Sequence, residues 1–424
     1  MTIPPSFDSI AWSALGKRVE PPVIDSLMAD ALNIPGMLSL AAGFTDNAVL
    51  PSELILEAMS ALCDPTGSKE CFQYGTNIGR FGLREEALRL LKTYPGEERL
   101  DLPLSQVAIT NGSQQVLYLS AQVLCDEGDI VFVEDPSYFV LLEMLRGMNL
   151  RVLSIPRSES GAIDFEALET LFSELKVAGE WHRVKFIYLI GYFANPSSRS
   201  LSEEDKRRLG LLLRAQKRPI PVIEDAAYRN LYFDQAYPAR SLLSLPEWAG
   251  LPVMYTGTFT KPFATGLKVG YAFSTSAEWM QNVLCVKGHQ DFGTANFAQA
   301  ILEHVLKADL YLTHLRRIRV HYKGKMEVLH RALVNSGLME HGWSWSVPGG
   351  GLYLWLTGPD HVDTSLPSNF CKACLDEKVL YVPGDLCIAG GVRKNCVRLS
   401  FGALPESLLE EAAARFAAVA LRFS

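Results

Sequence analysis

From about residue 50 to residue 300 the chain alternates between short apolar runs rich in β-branched residues and longer amphipathic stretches. The runs are "QVAIT", "DIVFVED", "RVLSI", "VKFIYLI", "PVIED" and "PVMYTG", and helical segments such as "SQQVLYLSAQVLC" and "SEEDKRRLGLLLRAQ" lie between several of them. Strands separated by helices need crossover connections, so the pattern predicts a largely parallel α/β sheet with helices on both faces. Ligands of such sheets collect beyond the carboxyl ends of the strands. Attention therefore falls on residues 111–115, 134–138, Asn195, 225–228 and 258–261.

After about residue 300 the texture changes. One long polar helix is predicted over "ILEHVLKADLYLTHLRRIRVHYKGKMEVLHRALVNSG", followed by "WSWSVPGGGLYLWL", "VLYVPGD", "CVRLSFG" and a final amphipathic helix. This reads as a smaller α+β lobe joined through the helix. The expected division is an N-terminal arm over residues 1–50 that contributes to the small lobe, a large domain over 51–305 and a small C-terminal domain over 306–424. With 424 residues, 48% of them hydrophobic, the chain holds more apolar material than one small core needs.

Charge and patterning exclude other classes. The formal net charge is -7, from 40 basic and 47 acidic residues, so no basic excess exists to neutralise nucleic-acid phosphates. A regulator with a DNA-binding module ahead of the fold would need about 60 residues there. Only about 35 precede "MLSLAAGF", and they hold no basic helix. No apolar run reaches the roughly 18 to 20 residues that a membrane helix needs, and the start "MTIPPSFDSI" has no basic segment ahead of an apolar core. A cytoplasmic chain with no membrane or nucleic-acid partner is expected. Cys371 and Cys374 lie one helical turn apart without a second pair or a histidine spacing, which predicts buried thiols and no metal.

Three stretches at the expected strand ends carry chemistry. In "TNGSQQVLYLSAQVL" a strand gives way to a helix, and amides at a helix start suit a phosphate; Ser113 either assists there or simply caps the helix. In "PVIEDAAYRNLYF" Asp225 ends an apolar run, where an acid either caps a turn or holds a buried cation. In "YTGTFTKPFATGLKVGY" Lys261 is either an ordinary surface cation or, among apolar neighbours, an amine that loses its proton and attacks carbonyl compounds. A phosphate cradle, an acid and a lysine in this order are the parts that hold pyridoxal 5'-phosphate.

The order and local wording resemble fold type I pyridoxal-phosphate enzymes, specifically the class I/II aminotransferases of the aminoadipate and kynurenine aminotransferase group. The likeness runs from about residue 35 to the end, through "LSLAAGFTDNAVLP", "QYGTNIGRFGLRE", "TNGSQQVLYL", "VEDPSYF", "FANPSSRSLS", "EDAAYRNLYF", "GTFTKPFATGLKVGY", "PGGGLYLWL", "VPGD" and "VRLSFG". It implies a large domain around a mostly parallel seven-stranded sheet, a smaller α+β C-terminal domain, and transfer of an amino group between an L-amino acid and a 2-oxo acid. By the same resemblance Lys261 forms the Schiff base with the cofactor and later carries protons, while Asp225 pairs with the pyridine nitrogen. Asn195 and Tyr228 are implied at the phenolic oxygen of the ring and Tyr138 against its face. Ser113, Gln114, Thr258 and Thr260 correspond to the phosphate cup. Tyr74 matches a tyrosine that crosses a homodimer interface to the neighbouring phosphate, so that the active sites are shared. Arg398 matches the arginine that grips the substrate carboxylate, next to Asn195, and Gly43 the glycine that lets main chain approach the substrate.

This chain departs from the family pattern in three places. Lys268 stands where an arginine usually forks onto the phosphate, which predicts weaker cofactor retention. The loop usually written NPTG reads "NPSSRS", so Ser198 replaces a glycine and Arg199 is brought toward the site, to meet an acidic substrate or to face water. Gly191 and Ala194 precede Asn195 where proline and glutamine are common, so the pocket wall is expected to differ. The same cofactor also serves lyases, decarboxylases, oxidases and cyclases, which leaves these as the alternative reactions.

Overall fold

A computed structural model describes residues 11–23, 29, 33–158, 160–390 and 393–424. After a short strand β1 (Leu38–Ser39), the chain forms β2 (Val107–Asn111), β3 (Ile130–Val133), β4 (Arg151–Ser154), β5 (Val184–Ile190), β6 (Val222–Asp225), β7 (Val253–Thr258) and β8 (Val269–Ser274). β2 to β8 make one seven-stranded sheet in the order β2-β8-β7-β6-β5-β3-β4. All its pairs are parallel except those of β8, which runs antiparallel to β2 and β7. The six parallel strands are the runs singled out in the sequence.

β8 was not among them, and its direction has a simple cause. The link 259–268 between β7 and β8 is too short for a crossover helix, so the chain turns back beside the strand it has just left. As a result β8 begins at the edge where the other strands end.

Alternate side chains of each strand enter different cores. Val107 and Ile109 of β2 pack in one cluster and Ala108 in another; Ile130 and Phe132 of β3 separate from Val131 and Val133 in the same way. β5 to β8 are buried almost throughout, as expected when helices cover both faces.

The C-terminal part adds β9 (Ser344–Trp345), β10 (Tyr353–Thr357), β11 (Val379–Leu380), β12 (Val382–Pro383) and β13 (Cys396–Ser400). Four of these form an antiparallel sheet in the order β12-β13-β10-β9, and β11 pairs in parallel with β1. Residues 38–39 are thereby stitched to the far end of the chain. Cys371 and Cys374 are both buried on the helix Asn369–Asp376, as expected.

The single long helix expected over residues 301–337 is two helices, Asn296–Lys307 and Leu310–Asn335. Asp309 between them takes a left-handed φ of 55° and binds Arg89. Both halves keep an apolar stripe, so periodicity alone passes straight through the break.

Candidate active site

One cavity of about 170 Å³ opens where β2, β5, β6 and β7 end. Ser113 and Gln114 line it from the helix Gly112–Leu124, Asn195 from the loop after β5, and Asp225 and Tyr228 from the end of β6. Thr258, Thr260 and Lys261 enter from the end of β7, Lys268 from the start of β8, and Tyr138 from the segment after β3. Distant parts of the sequence thus converge on one space.

The helix start is left free to bind an anion. Asn111 supplies no side-chain cap, nor does Ser113 spend its hydroxyl as one, so backbone N–H groups remain at the positive end of the helix. Gln114 Oε1 is buried without a partner, while its amide only reaches Met144 Sδ at 3.9 Å. A Cβ on Gly270 would stand 2.5 Å from the Gly112 carbonyl carbon, so only glycine lets β8 come this close to the helix start. Beside it, the Thr258 and Thr260 hydroxyls lie 2.6 Å apart and the Thr260 N–H donates to Thr258 Oγ1 at 3.0 Å. Lys268, in left-handed conformation, brings a cation to the same corner.

Asp225 is buried and accepts from Tyr188 Oη at 2.9 Å and from the Ala227 N–H at 3.0 Å. Removal from water pushes its carboxyl up to about 6, while these two bonds pull the other way. Among the described residues no lysine or arginine forms an ion pair with it. Such a carboxyl suits a cation brought by a ligand.

Lys261 Nζ donates to the Gly43 carbonyl at 2.7 Å. Its amine is lowered from the usual lysine range, first by desolvation and then by the positive charges of Lys268 and Arg398, against an opposing effect of Tyr353. A Cβ on Gly43 would lie 3.2 Å from the Tyr353 hydroxyl and 4.0 Å from Lys261 Nζ. Glycine there keeps the space in front of the amine open.

Arg398, in β13, is 1% exposed. It donates to Asn195 Oδ1 at 2.8 Å and to the Ala41 carbonyl, it lies 4.2 Å from the centre of the Tyr353 ring, and its Nε has no partner. No carboxylate pairs with this buried guanidinium among the described residues. A charge so placed is costly until a carboxylate arrives.

Tyr74 and Arg199 lie elsewhere. Tyr74 is 86% exposed and meets Phe292, itself exposed, edge to face at 5.6 Å; it does not line this cavity. Arg199, for which the sequence leaves open an acidic substrate or water, is also exposed: its guanidinium packs on Gly161 in a separate cleft with Arg157, Asp135 and Asp205. The turn causes this. Ser198 adopts the left-handed φ of 53° expected of the missing glycine and donates to the Tyr353 carbonyl at 2.7 Å, and Arg199 leaves on the far side. Conversely, Tyr188 and Tyr353 were missed. Each sits inside a largely apolar run, "VKFIYLI" and "GLYLWL", where a tyrosine reads as core, and only its hydroxyl hints at more.

An uncapped helix start beside a lysine, a buried acid with no lysine or arginine paired to it among the described residues, and an amine of lowered proton affinity match a cofactor that carries a phosphate, a basic ring nitrogen and an aldehyde. The comparisons agree. A family model described as aminotransferase class I and II matches residues 36–416. The 2-aminoadipate transaminase of Thermus thermophilus is 31% identical over 96% of each chain. Aromatic-amino-acid aminotransferase 1 of Thermococcus litoralis is 30% identical over 90% of this chain and 87% of its own. The structure of a kynurenine aminotransferase from Pyrococcus horikoshii, solved in complex with PMP, superposes with a TM-score of 0.86 at 27% identity, covering 97% of both chains.

Proposed function

The chain belongs to the class I and II aminotransferases and is a pyridoxal-phosphate-dependent transferase, and from that premise we propose how its own residues divide the work. The observation that carries the assignment is the buried Arg398 guanidinium, without a carboxylate partner among the described residues, beside the same cavity as Lys261 and Asp225. When bound, pyridoxal phosphate supplies the aldehyde that takes up the amino group and a ring that accepts electron density from the substrate carbon.

Arg398 receives the α-carboxylate of the amino acid through its planar fork, with Asn195 holding the guanidinium in plane. Lys261 provides the amine that links to the cofactor and then moves a proton at the substrate α-carbon; its lowered proton affinity suits both tasks. Asp225, its carboxyl oriented by Tyr188, would pair with the pyridine nitrogen and hold a proton there. Tyr228 and Asn195 would donate to the cofactor's phenolic oxygen, and Tyr138 would offer the cofactor an aromatic surface. Ser113, Gln114, Thr258, Thr260 and Lys268 hold the phosphate, and Gly43 leaves room for the substrate.

The enzyme works as a cytoplasmic homodimer in which Tyr74 completes the phosphate site of the partner subunit. The exposed aromatic pair of Tyr74 and Phe292 supports an interface there. No described helix is long and apolar enough to cross a membrane. The pairing of β1 with β11 supports a small domain in which the N-terminal arm joins residues 306–424, beside the large domain 51–305; of the arm's residues 1–50, residues 1–10, 24–28 and 30–32 lie outside the described residues.

A panel of L-amino acids, scored by the loss of the cofactor's visible absorption and its return on adding 2-oxoglutarate or pyruvate, tests the assignment. Donor-dependent bleaching that a 2-oxo acid reverses supports amino-group transfer. Bleaching that no 2-oxo acid reverses points to the alternative reactions.

A further inference from the structure

Tyr228 and Tyr353 come from opposite halves of the site, the turn after β6 and strand β10, and meet edge to face with ring centres 5.7 Å apart. Their hydroxyls are 2.9 Å apart and both residues are buried. Tyr353 is held firmly. The Ser198 hydroxyl bonds its carbonyl, Arg398 packs over its ring, and its hydroxyl faces Gly43.

Each phenol owns one proton. If Tyr228 gives its proton to the ring oxygen of the cofactor, the hydrogen bond between the two hydroxyls has only one donor left, Tyr353. A phenol that accepts such a bond becomes a better donor, because the bonds of a chain polarise one another in a site with little water. We propose that Tyr353 is a positioning residue that donates to Tyr228, fixes the direction of its hydroxyl and strengthens the hydrogen bond that Tyr228 gives the cofactor. This rests on the role assigned to Tyr228 above.

The test is a pH titration of the visible absorption of the holoenzyme in the parent, Y353F, Y228F and the double variant, each checked for cofactor stoichiometry. The charged groups facing the pair are Arg398 from β13 and Lys261 from the end of β7, with the Tyr138 phenol opposite, and all stay unchanged in these variants. A hydrogen bond to the ring oxygen favours the deprotonated, more negative state of the bound cofactor, so weakening it moves the midpoint upward. Y353F is expected to raise the midpoint by roughly 0.3 to 0.6 pH unit, less than Y228F does. In the double variant the midpoint should match that of Y228F alone, because the relay from Tyr353 needs the Tyr228 hydroxyl. If Y228F shifts the midpoint and Y353F does not, or if the two shifts add, the relay is overturned while the role of Tyr228 stands. If Y228F itself leaves the midpoint in place, the role of Tyr228 fails and the relay with it.

Discussion

Arg398 Nη1 donates to Asn195 Oδ1 across 2.8 Å, joining β13 of the small sheet to the loop that follows β5 of the large one. The contact turns the guanidinium into a part of both sheets while leaving its Nε without a partner. The carboxylate grip proposed for Arg398 and the packing of the two sheets would therefore meet at one side chain.

Replacing this side chain tests that arrangement. R398A removes a charged, bidentate donor, worth about 2 to 4 kcal/mol to a bound carboxylate. KM for the amino acid should rise roughly 30- to 1000-fold in steady-state assays, with cofactor content and visible spectrum little changed. Loss of cofactor in proportion would make Arg398 a structural residue.

The Asp225 carboxyl, ordinarily near 3.8, is pushed up to about 6 by burial, and this has a signed consequence in the cofactor-free protein. A raised acid lowers stability only when ionised. The penalty is absent below the unfolded value, grows as pH rises, and is complete above the folded one. D225N has no such penalty. Its stability relative to the parent should improve between about pH 4 and about pH 7, by on the order of 2 to 3 kcal/mol, in urea unfolding of both proteins. A difference that does not vary with pH contradicts the account.

Lys268 offers the phosphate a point charge where an arginine would offer a fork. K268R should tighten cofactor binding about 5- to 10-fold, read as the dissociation constant of cofactor added back to apoprotein. Equal or weaker binding would show that the left-handed turn at Lys268 already places its amine well enough.

Ser198 pairs two opposing effects. Its left-handed φ costs about 1 to 2 kcal/mol in a residue with a Cβ, and its hydroxyl returns about 1 kcal/mol through the Tyr353 carbonyl. S198G loses both and should be nearly neutral in thermal unfolding. S198A keeps the cost and loses the bond, so it should be the less stable of the two by about 1 kcal/mol or more. The reverse order would mean that the left-handed φ costs nothing here, and an S198A variant as stable as the parent would mean that the hydroxyl does not hold Tyr353 in place.

The parallel strands and the residues at their ends were legible because each strand is a short apolar run and each chemical residue interrupts one. Lys261, Asp225 and Ser113 stand out for that reason, and the family pattern extends the reading to Asn195, Tyr228 and Arg398. What could not be read depends on direction. β8 looks like the tail of the lysine motif until the short link forces it antiparallel. Arg199 leaves the site because Ser198 accepts a glycine-like φ, which a sequence of hydroxyl residues does not announce. Tyr188 and Tyr353 look like core residues, and only their hydroxyl partners, Asp225 and Tyr228, reveal otherwise.

All of this turns on the amine that the end of β7 holds beside the Gly43 carbonyl. Borohydride reduction of the holoenzyme, followed by mass spectrometry of the peptide spanning residues 255–271, tests it directly. The cofactor mass should appear on Lys261 alone, and K261A should stay colourless with the aldehyde and yield no adduct. An adduct on Lys268 or any other lysine, or a K261A protein that still forms one, would contradict the account.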